Sequence, residues 1–315
     1  MRARANRSLG GLICVVVALG AGSGCAGAKA NGPEARPLAE VEPLYDTPRE
    51  YRRHAPLPCG VGAGLVYVFT SAGDLAAFEP TTGRFRRIGP IRCPGMRRGL
   101  ARPNSMAVDR AGTAWVNYID GPIFAVSTQD ASCKETAYTP GQQGFWHLGM
   151  AFVSTGPNLS GETLFISGGT RDSTGFQDFG LGEGGPGGLA RIENGERVVP
   201  IAPFNGRLNG RLAELTGTGD GRLFGFFATR PATLAEIDPT TAAIKSERIL
   251  PGIVAPAAWA HAFWGGRFYL FWSRGGEASV VSRVELDGRI EHLGRAPRMV
   301  IVGAGVSTCA PTTLE

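Results

Sequence analysis

Two carboxylates and a set of ring-bearing side chains are the residues of this chain whose types and spacing could do chemistry. Asp109 and Glu214 close or occupy apolar runs, SMAVD and AELTG. Paired carboxyls hydrolyse glycosidic bonds when they lie about 5 to 10 Å apart. Trp146, His147, Trp259 and His261 lead into two further apolar runs at the same relative point, and aromatic walls with a few polar groups are what a concave binding site needs. Arg92, Arg97, Arg98, Arg102, Arg207 and Arg211 crowd the segments ahead of such runs. Guanidinium groups there would suit carboxylate or phosphate ligands, and Asp172 or Asp178 could act from a glycine-rich loop.

Other patterns fail on context. GLGEGG (180–185) matches G-x-G-x-x-G but opens no helix. The chain contains no G-x-x-x-x-G-K-[ST], G-x-S-x-G or H-E-x-x-H. Asp220-Gly221 and Asp287-Gly288 read as hairpin turns, since neither stands in a calcium-loop frame. No two cysteines are in C-x-x-C spacing, which argues against a structural metal. No cofactor and no metal are expected, and His54 and His292 are given no role.

The elements that must position these residues come from an internal repeat of about forty residues. SMAVDRAGTAWVNYIDGPIFAVS (105–127), LAELTGTGDGRLFGFFATRPATLAEID (212–238) and AWAHAFWGGRFYLFWSRGGEASVVSRVELDG (258–288) share one phrase. Each has an apolar strand, a Gly-containing turn, an aromatic-rich strand, a polar turn and a third alternating strand. A fourth strand follows each time, in CKETAYT (133–139), AIKSERIL (243–250) and RIEHLG (289–294). Residues 149–202 make another such unit, with a long loop between its second and third strands.

The segment from 65 to 91 has three strands and lacks the first, whereas MVIVGAGVS (299–307) is a strand with no successors. Placing the last strand innermost in the first unit closes a ring without exposed edges. The expected fold is therefore all-β, a five-bladed β-propeller whose blade 1 takes its inner strand from the C-terminus. In that ring a Cys59 to Cys309 bond would clasp the closure, and Cys93 and Cys133 would meet at the outer strands of neighbouring blades.

Aligning the blades on Gly112 and Gly221 sets Glu214 level with Ser105, so Asp109 lies four residues further along the axis, about 13 Å at strand rise. That spacing argues against a catalytic pair. The expected binding site is the top face, with Trp146, His147, Arg207, Arg211, Glu214, Trp259 and His261, and Glu214 is the one catalytic candidate.

The N-terminus reads as an address. Arg2, Arg4 and Arg7 precede the apolar run 9–21, followed by small residues at GSGC (22–25), the layout of a secretory signal. Gly24-Cys25 is similar to a bacterial lipobox, which implies lipidation of Cys25, although Gly22 stands where such boxes carry Leu. Cleavage after Ala30 in A-K-A is the competing reading. The expected organisation is a signal peptide over 1–24, a lipid anchor and tether over 25–58, the propeller over 59–311 and a tail over 312–315. Once Cys14 and Cys25 are set aside, four cysteines remain, an even number suited to an oxidising compartment.

Composition agrees. The chain has 315 residues, 43% hydrophobic and 19% charged, with 47 glycines and 22 prolines, which suits many short strands joined by turns. The formal charge of +5 includes three arginines of the leader. The mature chain is near neutral, so nucleic acid is not an expected partner.

The EPTTG (79–83) and DPTTA (238–242) turns are similar to those of secreted YVTN- and NHL-type propellers. The phrases SMAVDRAGTAWVNY, LAELTGTGDGRLFGFF, AFWGGRFYLF and VGAGVSTCAP, with the lipobox, resemble the lipoprotein propellers of myxobacteria over residues 59–311. That resemblance implies a fold and an address and brings no activity with it. The expected protein is an outer-membrane lipoprotein, monomeric, held to the membrane by lipid on Cys25, and facing the periplasm or the cell surface. It would bind an anionic glycan or an envelope protein as a binding or scaffolding module. The alternative is a cell-envelope hydrolase or lyase acting on a polysaccharide.

Overall fold

The structure is a computed structural model of the chain, describing residues 59–94, 102–119, 121–169, 188–253 and 256–314. The expectations for the signal, Cys25, the tether with His54, Arg97, Arg98, Asp172 and Asp178 lie outside the described residues.

The strands run β1 (Val66–Thr70), β2 (Asp74–Glu79), β3 (Arg84–Pro90), β4 (Pro103–Val108), β5 (Thr113–Tyr118), β6 (Ile123–Ser127) and β7 (Cys133–Glu135). They continue with β8 (His147–Thr155), β9 (Gly161–Gly169), β10 (Gly188–Glu193), β11 (Arg197–Pro203), β12 (Ala213–Gly217), β13 (Leu223–Phe227) and β14 (Ala232–Ile237). The last are β15 (Ile244–Leu250), β16 (Ala258–Trp264), β17 (Arg267–Ser273), β18 (Val280–Val284), β19 (Ile290–Arg295) and β20 (Ile301–Val306).

They form five four-stranded antiparallel sheets, and the first has the order β20-β1-β2-β3. The C-terminal strand pairs with β1 through Val66 opposite Val306 and Phe69 opposite Gly303, so blade 1 is completed from both ends of the propeller. The fold is the five-bladed β-propeller that the repeat implied.

Each blade is buried on both faces, because its two faces pack against different neighbours. Blade 5 illustrates this with β16. Ala260, Ala262 and Trp264 join the core shared with blade 1, while Phe263 and Trp259 join the core shared with blade 4. Further apolar cores join blades 1 and 2, 2 and 3, and 3 and 4. Inner strands such as β8 and β12 are therefore buried almost throughout, whereas the outer strand β19 is largely exposed.

Glycines let the inner strands approach one another. A Cβ on Gly149 of β8 would sit 1.9 Å from the Ala213 carbonyl oxygen of β12, and one on Gly303 of β20 would sit 2.9 Å from the Met106 amide nitrogen of β4. No larger residue fits at that approach.

Two disulfides staple the ring, as the cysteine arithmetic anticipated. Cys59 and Cys309 join the two ends of the propeller, and Cys93 and Cys133 join the end of blade 1 to β7 of blade 2. Both point to an oxidising, extracytoplasmic compartment. Among the described residues no helix is long and apolar enough to cross a membrane.

Two details correct the sequence reading. The outer strand of blade 2 is only Cys133–Glu135, because the Thr136 hydroxyl, rather than further backbone pairing, meets the Ile123 carbonyl at 2.6 Å. Asp109 belongs to the turn after β4, not to the strand. Its carboxylate accepts the Thr113 amide at 2.8 Å and the Trp115 indole N–H at 3.0 Å.

Candidate functional site

At the end of the central channel where the inner strands begin, a cavity of about 120 Å3 draws its walls from all five blades. Its apolar surface includes Leu148 of β8, Leu212 just before β12, Trp259 of β16 and Val302 of β20. Two polar side chains reach the lining, Glu214 of β12 and Asn104 of β4.

Glu214 is 6% exposed. Its Oε1 accepts a hydrogen bond from the Ser105 hydroxyl at 2.6 Å, and Ser105 Oγ in turn accepts the Met150 amide at 3.1 Å. The three residues come from blades 4, 2 and 3, so this chain of bonds knits three inner strands together. Oε2 of Glu214 has no protein partner among the described residues. Burial without a counter-ion pushes the carboxyl well above the usual carboxylate range, and the Ser105 bond opposes that only in part.

Asn104 owes its position to a β-bulge. Between β4 and β5 the register steps from Pro103 opposite Tyr118 to Ser105 opposite Asn117, which leaves Asn104 as the extra residue; bulges of this kind re-aim side chains. Its amide orientation is fixed by carbonyls. Asn117 Nδ2 donates to the Gly121 and Pro122 carbonyls at 3.3 and 3.4 Å, so Asn117 Oδ1 faces Asn104. Asn104 Nδ2 then donates to that oxygen and to the Leu148 carbonyl, both at 2.7 Å. Asn104 Oδ1 is left without a protein partner among the described residues.

Of the residues singled out from sequence, the structure brings Glu214 and Trp259 together at the cavity. His261 is fully buried between blades 4 and 5, its ring centroid 6.0 Å from that of Phe226 and 6.5 Å from that of Phe268. Neither ring nitrogen has a protein partner among the described residues, and desolvation pushes its pKa down to about 3. His147 is buried on β8, paired with Gly169 of β9. Trp146 lies over Gly141, which has φ 77° and space for no side chain beneath the indole.

Arg207 is turned outward. Its guanidinium pairs with Glu247 of β15 and donates to Thr233 Oγ1 of β14 at 3.0 Å, which ties it to the outer part of blade 4. Arg211 is half-buried just ahead of Leu212 and is not part of the lining. Arg92 and Arg102 are exposed.

Sequence reasoning missed Asn104 and gave Ser105 no role. The level set by aligning Glu214 with Ser105 carried the signal, since Asn104, Leu148, Leu212 and Val302 all sit near that level. The bulge that aims Asn104 has no signature in PNSMAV.

At the opposite end of the channel Arg110 fills a structural role. It is 8% exposed and donates to Ser154 Oγ and the Ser160 carbonyl, both at 2.9 Å. Its backbone amide meets Glu162 at 2.8 Å, and Thr308 donates to the same carboxylate at 3.1 Å.

Fold and cavity together define a class, a disulfide-clasped five-bladed propeller with a buried carboxyl at the channel mouth. No family model matches the chain, and no curated protein is similar to it. Among solved structures it is similar to a protein of unknown function from Bacteroides caccae, at 10% identity and TM-score 0.40 over 76% of this chain and 97% of that one. It is also similar to a prolyl endopeptidase structure, at 11% identity and TM-score 0.35 over 77% of this chain and 36% of that one. A third is dihydro-heme d1 dehydrogenase NirN in complex with DHE, at 11% identity and TM-score 0.34 over 77% and 45% of the two chains.

Proposed function

We propose that the protein is an exported, lipid-anchored propeller of the cell envelope that binds a small ligand at the mouth of its central channel. The observation that carries this reading is Glu214, a buried carboxyl with one oxygen unpartnered, lining an apolar cavity to which every blade contributes. Oε2 meets no protein donor among the described residues, and a ligand that pairs with it supplies a hydrogen bond that the protein itself does not. Export is supported by the two disulfides and by the leader-like 1–24 segment. The lipobox-like Gly24-Cys25 step supports an anchor, with 25–58 as tether. In this reading Trp259 and Glu214 are the binding residues, while His261, Arg207 and Trp146 serve packing and surface pairing.

The test is a thermal-shift screen of the intact protein against glycans, lipid head groups, organic cations and inorganic ions. A ligand that binds only the folded form raises its stability by linkage. A shift that disappears in Trp259→Ala and in Glu214→Gln supports the reading. No shift across the panel overturns it in favour of a docking scaffold for another envelope protein.

One observation favours a second reading, a hydrolase or lyase. A carboxyl held above its usual range is what a general acid requires. Turnover of an envelope polysaccharide that is abolished in Glu214→Gln would establish it.

A further inference from the structure

We propose that the channel-mouth cavity is a site for a small organic cation, a primary alkylammonium group held by Glu214 and Asn104 with its apolar body against Trp259 and Leu148. The proposal rests on the ligand-binding reading above and specifies its ligand.

Among the described residues, the carboxyl and amide side chains of the lining residues each have one atom without a protein partner, and both atoms are oxygens, Oε2 of Glu214 and Oδ1 of Asn104. Asn104 cannot offer its nitrogen instead, because Asn117 and the Leu148 carbonyl hold both of its N–H groups. Ser105 has its single proton directed at Glu214 Oε1 and already accepts from Met150. With Glu214 ionised, these two oxygens call for a donor. An ammonium group, with three donors and a full charge, answers both oxygens and supplies the counter-ion that the carboxylate lacks.

The rest of the lining selects against a bare metal ion. Calcium takes about six to eight oxygens, and the remaining residues named on the lining are apolar, with Trp259 providing a ring that attracts cations. Size agrees as well: about 120 Å3 is somewhat less than the roughly 150 Å3 cavity that accepts benzene, so an alkyl chain of a few carbons fits.

Binding should be linked to proton release. Burial raises the Glu214 pKa and a cation beside it lowers it again, so wherever the empty cavity holds the protonated carboxyl, entry of the cation releases that proton to solvent while the ligand stays protonated throughout. Among the described residues, the other ionisable side chains nearby are His147 and His261 on the adjoining inner strands and Arg102 and Arg211 in the segments ahead of β4 and β12. His261 stays neutral through this range because burial pushes its pKa down to about 3.

The experiment is calorimetric titration of the intact protein with n-butylammonium, butanamide and butyrate, each in two buffers of different ionisation enthalpy. The expected result is binding of n-butylammonium with release of a proton and an affinity that rises up to about tenfold per pH unit while Glu214 is protonated. Glu214→Gln, which keeps an acceptor for Ser105, should lose at least about tenfold in affinity, and proton release should vanish. Trp259→Leu should weaken binding without abolishing proton release.

Preferential binding of butanamide or butyrate would overturn the cation assignment while leaving the site as a ligand site. Failure of all three would overturn the assignment too, and the wider screen would then decide the binding reading. Binding that survives unchanged in Glu214→Gln would show that the cation sits elsewhere.

Discussion

The Ser105 hydroxyl of blade 2 and the Glu214 carboxyl of blade 4 meet at 2.6 Å, although 109 residues separate them in sequence. Blade 3 lies between them in chain order, and its Met150 amide bonds the same hydroxyl. This contact links three inner strands through one oxygen.

Ser105→Ala tests that link. The substitution leaves the buried Met150 N–H and the Glu214 carboxyl without their partner, a loss expected to cost about 1–3 kcal/mol. Urea denaturation should show a lower midpoint with an unchanged slope. An unchanged midpoint would mean that the contact contributes nothing net.

The pH dependence of stability should separate Glu214 from His261. For Glu214 the folded pKa is raised, so the folded state holds a proton that the unfolded chain gives up. Its contribution is complete below the unfolded value of about 4.3 and falls as pH rises towards the folded value. For His261 the folded pKa is lowered to about 3, so its contribution is complete above about 6.5 and is lost as pH falls from there to about 3. Each slope is about 1.4 kcal/mol per pH unit. The two oppose each other from about 4.3 up to the lower of about 6.5 and the folded value for Glu214, giving a flat region. Glu214→Gln should turn that region into a steady loss on acidification, and His261→Leu should turn it into a steady gain. Denaturation midpoints across that range decide the point.

The two disulfides should differ in their effect. Cys59–Cys309 closes a separation of 250 residues and Cys93–Cys133 one of 40. Chain entropy makes the loss of the longer bridge the larger by about 1–2 kcal/mol, within a total of about 2–5 kcal/mol. Paired Cys→Ala variants compared by urea denaturation give the difference directly. Equal losses would mean that loop closure does not govern their contribution.

Gly149→Ala should be among the more damaging small substitutions in the chain. The added methyl would meet the Ala213 carbonyl at 1.9 Å and the Glu214 Cα at 2.7 Å, both backbone atoms. Strand β12 would have to move away from β8, at about 1–3 kcal/mol or more, and Glu214 would move with it. Gly169→Ala is the control, since nothing lies within 4 Å of its added carbon. It should stay within about 0.5 kcal/mol of the wild type.

The repeat of apolar strand, turn and aromatic strand was enough to read the five blades, the closure by residues 301–306 and both cysteine pairs, because strand periodicity and turn chemistry are local properties of the chain. The same periodicity could also align Glu214 with Ser105, which is why these two residues and Trp259 were legible as a level in the channel. It could not say which way a side chain on an inner strand points. Those strands are buried on both faces, so apolar residues mark either side equally, and His261 could be told from a channel residue only once Phe226 and Phe268 were found around it.

A one-residue bulge turned Asn104 towards the cavity, and a partner 40 residues away drew Arg207 to the outer strands. Neither leaves a mark in its own stretch of sequence. Register and long-range charge pairing are settled by packing between segments distant in the chain, and it is these that decide what the channel mouth offers a ligand.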